Sequence, residues 1–259
     1  MSHAPARREA VLLGVAMRQL LLATCLLLLG APKPAIGWGY DLTYGVGCWA
    51  ETPASAWTFA CDTNTGSVPI TISASVPVAI PDLVGFQFRI DGEALTSLPD
   101  WWQLAGATAC RSGALQLSAD FSVAPQTACA DPYGGLAAAG VTHFWTALNN
   151  PVYRSQSRFE LVASTSLPEP VAVEAGVEYY VSRLRVAYVK TVGPGACAGC
   201  GSRLTMAVMG VTALGATSGH YAVGRPNGNW CLTWQTGDVP CEAVPARNAT
   251  WGQVKSLYR

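Results

Sequence analysis

Apolar and polar residues alternate with a period of two along most of this chain. Ile70-Thr71-Ile72-Ser73-Ala74-Ser75-Val76 alternates cleanly and ends at Pro77. Val84-Gly85-Phe86-Gln87-Phe88-Arg89-Ile90 repeats the pattern and is expected to stop at the turn dipeptide Asp91-Gly92. Leu115-Gln116-Leu117-Ser118-Ala119-Asp120-Phe121 is a third instance, with Gln116, Ser118 and Asp120 facing out. Side chains of a strand point alternately to its two faces, so each segment predicts a strand with one buried face. Phe159–Thr165, Glu178–Lys190 and Leu204–Leu214 add three more. The second of these changes phase near Arg183, which predicts a bulge. Shorter strands are expected at Leu42–Val46, Trp57–Cys61, His143–Trp145, Tyr221–Val223 and Cys231–Trp234.

Turn signals punctuate these runs: Asn64-Thr65-Gly66, Asp131-Pro132-Tyr133-Gly134-Gly135, Asn149-Asn150-Pro151, Gly193-Pro194-Gly195 and Asn227-Gly228-Asn229. Many short strands with regular turns predict an all-β protein, a two-sheet antiparallel sandwich of immunoglobulin- or cohesin-like or jelly-roll type. The Ala/Gly-rich stretch 110–158 is expected to leave the sandwich in long excursions. No break in composition divides residues 38–242, which are read as one domain. After them Ala243–Asn248 reads as a linker. Thr250 caps a short helix whose Trp251, Val254, Leu257 and Tyr258 fall on one side.

The first 37 residues have a different character. Leu20–Leu29 is a nearly unbroken apolar run, preceded by Arg18 and followed by the small-residue exit Ala35-Ile36-Gly37. Ten helical residues rise about 15 Å, half of the roughly 30 Å hydrocarbon core of a bilayer. The segment is therefore expected to be a cleavable secretion signal, with Met17 as the start of translation. No later apolar run reaches spanning length, so no transmembrane helix is expected in the mature chain.

Composition sharpens that picture. Of 16 basic and 16 acidic residues, Arg7, Arg8, Arg18, Lys33 and Glu9 fall in the leader, which leaves a mild excess of acid. Nucleic-acid binding needs a basic stripe and is excluded as an expectation. Nine cysteines become eight once Cys25 leaves: Cys48, Cys61, Cys110, Cys129, Cys197, Cys200, Cys231 and Cys241. An even number in an exported chain reads as disulfides. Proximity suggests Cys48–Cys61, Cys110–Cys129, Cys197–Cys200 and Cys231–Cys241, each stabilising by about 2–4 kcal/mol.

Three features resemble a group of uncharacterised exported bacterial proteins. They are the stretch Phe59-Ala60-Cys61-Asp62-Thr63-Asn64-Thr65-Gly66; the block Gly176-Val177-Glu178-Tyr179-Tyr180 with Lys190-Thr191-Val192-Gly193 and Cys197-Ala198-Gly199-Cys200; and the ending Trp251-Gly252-Gln253-Val254-Lys255-Ser256-Leu257-Tyr258-Arg259. The resemblance implies export and a bacterial source, and brings no activity with it. Val84–Phe88 also resembles a strand of cohesin-like sandwiches.

Chemistry-bearing motifs are few. Cys197-Ala198-Gly199-Cys200 has redox-pair spacing, but no helix follows it to lower a thiol pKa, so a structural cystine is the expected state. A thiol–disulfide oxidoreductase using Cys197 and Cys200 is the enzymatic alternative. Asp62-Thr63-Asn64-Thr65-Gly66 resembles the opening of a calcium loop, but the twelfth position is Ser73, so an Asx-type turn is expected. His143 and His220 are read as loop or sheet residues, and the acid pairs Asp91/Glu93 and Glu174/Glu178 as solvated carboxylates. No metal or cofactor is expected. The best binding hint is aromatic: Trp101, Trp102 and Trp145 would suit the flat face of a sugar. The chain thus reads as a secreted or cell-surface, non-enzymatic binding or structural module. Its expected partner is a glycan or a surface protein, with carbohydrate binding through Trp101 and Trp102 as the sharper alternative.

Overall fold

A computed structural model describes residues 38–147, 155–224 and 229–235. Eleven strands make up the described chain: β1 (Gly39–Tyr44), β2 (Ala56–Trp57), β3 (Ser67–Ser75), β4 (Ile80–Ala94), β5 (Leu115–Ser118), β6 (Ala138–Thr146), β7 (Arg158–Val173), β8 (Glu178–Ala187), β9 (Leu204–Gly215), β10 (His220–Val223) and β11 (Cys231–Trp234). One short 3-10 turn, Asp100–Trp102, is the only helix among the described residues, so none there is long enough to cross a membrane. The strands form two sheets, ordered β1-β3-β8-β5 and β2-β11-β9-β4-β7-β6, with β10 added beside β9. All pairings are antiparallel except β11 with β2.

The alternation explains the layering. Leu42, Ile70, Ile72, Leu184 and Val186 of the smaller sheet, with Phe86, Phe88, Ile90, Leu161, Met206 and Val208 of the larger, are buried in one core. Burying such side chains contributes about 1.5–3 kcal/mol each. The two-sheet, disulfide-braced, all-β architecture is the one that the sequence pattern predicts.

Two local readings are corrected, and the bulge expected near Arg183 is found and located. Strand β4 does not stop at Asp91-Gly92 but runs on to Ala94. Gly92 faces the ring of Phe159, its cross-strand partner, and a Cβ there would lie 2.1 Å from that ring. The glycine permits close approach inside a strand instead of a turn. The bulge in β8 falls at Val181, where the register jumps from Ile72↔Ser182 to Ser73↔Tyr180, two residues before the expected place. The expected strand Trp57–Cys61 shrinks to Ala56–Trp57, because the chain at Cys61 takes a left-handed φ of 58° to enter a disulfide.

The cysteines pair over long distances: Cys48–Cys129, Cys61–Cys200 and Cys110–Cys197. This overturns three of the four proximity pairings. The reason is topological, since antiparallel neighbours in these sheets come from remote parts of the chain. Cys197 and Cys200 bond to separate partners and are both buried, so the adjacent pair is not a dithiol centre. It staples the 190–203 loop to two other loops. Cys231 is disulfide-bonded, whereas Cys241 and the expected leader, linker and terminal helix lie outside the described residues.

Candidate binding face

Trp101 and Trp102, the expected sugar platform, are fully buried. The 3-10 turn that carries them plugs one end of the sandwich. Trp101 stacks on Trp234 at 4.9 Å, and Trp102 meets Trp234 edge-on at 5.4 Å and Phe159 at 6.2 Å. The Trp101 indole N–H donates to Thr191 Oγ1 (3.1 Å). Arg111 closes the site from behind, its guanidinium 3.4 Å from the centre of the Trp101 ring. It donates to the backbone carbonyls of Trp101 (2.7 Å), Val189 (3.0 Å) and Ala187. Burial lowers its pKa to about 9. These two tryptophans are core, and no ligand reaches them in this fold. Sequence gave no warning of Arg111, because an arginine after a cysteine carries no pattern of its own.

Trp145 has the opposite fate. It lies on β6, the last strand of the larger sheet, with its side chain on the outer face and 39% exposed. Cross-strand partners continue the row: Trp145↔Glu160↔Asp91↔Ala207↔Cys231. The adjacent row runs His143↔Val162↔Arg89↔Gly210. The period of two places both rows on the same side, away from Phe144, Leu161, Ile90 and Val208 in the core.

The side chains on this face are interlocked. The His143 ring stacks on Trp145 at 3.7 Å, only 15° from parallel. His143 Nε2 is 3.0 Å from Glu160 Oε1, and Arg89 Nη2 is 2.9 Å from Glu160 Oε2. Arg89 also donates to both Asp91 oxygens, at 2.7 and 2.8 Å. One row beyond, Arg158 pairs with Glu93 at 2.6 Å. Surface ion pairs contribute at most about 1 kcal/mol each, so stability alone does not account for such a network. What it does is hold an exposed indole and a set of polar groups in fixed positions on a pleated surface. Asp91 and Glu93 are therefore ion-paired carboxylates of the sheet face. His220 is exposed on β10, on the far side of β9.

A second polar cluster lies on the outer side of the smaller sheet, under the loops joined by Cys48–Cys129. Glu178 accepts from Ser73 Oγ (2.5 Å), and burial raises its pKa. Asp41, paired with Ser73 in register, has one buried carboxylate oxygen without a hydrogen-bond partner. Burial first, then the charge of Glu178, pushes its pKa up to about 7. Glu51 is held low: burial opposes ionisation, but the amides of Ala128, Cys129 and Thr127 and the Tyr180 hydroxyl outweigh it. The Cys48 and Cys129 sulfurs lie within 4.8 Å of a Glu178 oxygen, but they are bonded to each other and cannot ligate a metal in that state. The segment that resembles a calcium-loop opening is a loop tie: Asn64 Oδ1 accepts from the amides of Thr191 (2.7 Å) and Val192 (3.0 Å).

No family model matches this chain. No curated protein matches it either. Among solved structures, it is similar to one described as a "Putative membrane anchored protein from Corynebacterium diphtheriae", with 12% identity and a TM-score of 0.26. The match covers 80% of this chain and 38% of that one, and at this TM-score it carries no argument.

Proposed function

We propose that this protein is an exported, non-enzymatic binding module that works outside the cytoplasm and takes glycans on the outer face of its larger sheet, with Trp145 as the platform. The observation that carries the reading is the exposed His143–Trp145 stack, fixed by Glu160 and Arg89, on a sheet whose other large aromatics turn inward. The apolar face of a pyranose ring suits an indole, and nearby fixed carboxylates and guanidinium groups suit its hydroxyls. Three long-range disulfides support a site of action where thiols oxidise.

The test is a glycan array and polysaccharide retention, run with the parent chain and with Trp145→Ala. Loss of the stacking surface should weaken retention about tenfold or more, equal to about 1.4 kcal/mol, with an unchanged melting temperature. Retention that survives the substitution, or a parent chain that no glycan holds, would refute the proposal.

A further inference from the structure

Charge is unevenly divided on the outer face of the larger sheet. Among the described strand positions of that face, Asp91, Glu93 and Glu160 are carboxylates, whereas only Arg89 and Arg158 are guanidinium groups. Both guanidinium groups are already engaged. Arg89 spans Asp91 and Glu160, and Arg158 holds Glu93. A ligand anion would have to displace one of these carboxylates to reach an arginine.

The carboxylates are less fully used. An ionised carboxylate has about four acceptor positions and no donor. On Asp91, Arg89 Nε and Nη2 each meet one oxygen. On Glu160, His143 meets one oxygen and Arg89 the other. On Glu93, Arg158 meets a single oxygen, and that side chain is 34% exposed. Beside Trp145 the face therefore presents a surplus of hydrogen-bond acceptors and an excess of one negative charge.

We infer that this face selects glycans by charge. It takes neutral or amino-bearing sugars, whose hydroxyl and ammonium groups donate to Asp91, Glu93 and Glu160, and it rejects uronic-acid and sulfated ones. A carboxylate or sulfate group on the ligand can only accept, so it meets like charge with no uncommitted cation to receive it. The inference rests on the glycan reading above and narrows it to a chemical class.

The test uses polysaccharides in matched pairs: a neutral polymer, and the same polymer with its primary hydroxyls oxidised to carboxylates. Affinity electrophoresis of the parent chain at low ionic strength should show the oxidised member held about tenfold or more weakly. Raising the salt should narrow that gap, because screening weakens repulsion between exposed charges. The D91N/E93Q variant should narrow it as well. An acidic glycan held as well as its neutral partner, with retention lost in Trp145→Ala, would overturn the inference and leave the glycan reading standing. A gap that salt does not change would overturn it too, since shape and not charge would then be discriminating. If neither member of any pair is held through Trp145, the glycan reading falls and this inference with it. The parent chain and its salt series decide the matter even if the double variant fails to fold.

Discussion

Trp101→Ala separates a core role from a surface one more sharply than any other single change. The indole is wholly buried among Trp102, Trp234 and Arg111. Truncating a buried tryptophan costs about 3–5 kcal/mol through lost transfer energy and the cavity left behind. The desolvated guanidinium loses a ring contact that contributes about 2 kcal/mol in such settings. Part of that overlaps with the packing loss, so about 5 kcal/mol is the expected total. For a chain of this size, 1 kcal/mol shifts the midpoint by about 2–4 °C. Thermal unfolding followed by circular dichroism, with disulfides intact, should thus show a fall of about 10–20 °C. Trp145→Ala, made in parallel, should cost less than about 1 kcal/mol, because its ring is partly solvated on the sheet's outer face. The reasoning is refuted if Trp101→Ala melts with the parent, or if Trp145→Ala produces the larger fall.

Other changes test other links. Arg111→Met strips donors from three backbone carbonyls, that of Trp101 buried, and empties a fully buried guanidinium site, which should cost about 3–5 kcal/mol; Arg111→Lys should restore little, since a point charge cannot match the guanidinium fork. Chemical denaturation of both variants checks this, and a mild Arg111→Lys phenotype would count against the fork. Asp41 keeps its proton up to about pH 7 when folded but only to its ordinary value of 3.8 when unfolded. The folded state therefore binds more protons between these values, and the contribution of Asp41 to stability falls as pH rises through that window. The D41N variant should show a flatter stability profile in urea titrations across it, with the shallow residual slope of Glu178; an unchanged slope would place the proton elsewhere. Removing the Cys61–Cys200 bond as a C61S/C200S pair opens a loop spanning 139 positions. On the chain-entropy account this costs up to about 5 kcal/mol; a loss near zero, or mapped pairings that join sequence neighbours, would refute the long-range connectivity.

The strands and their buried faces were legible because alternation is a local property. Ile70–Val76 reads the same in the chain and in the sheet, since each residue's side is set by its neighbours. Asp91-Gly92 misled for the opposite reason: the glycine answers to Phe159, more than sixty positions away. The tryptophans show the same division. Nothing adjacent in sequence distinguishes Trp101 from Trp145, but one rides a turn that enters the end of the sandwich and the other stands on the outer face of an edge strand. Arg111 and Asp41 were equally silent, because a buried charge is recognisable only from what surrounds it.

The sequence by itself determined an all-β chain, its period of two, the positions of most strands and the commitment of its cysteines to disulfides. Tertiary structure alone decided which sulfurs meet, which tryptophans face water, and that His143, Trp145, Glu160, Arg89 and Asp91 share one surface. Alternation is written in nearest neighbours, whereas pairing and exposure depend on which remote strands the sheet order brings side by side.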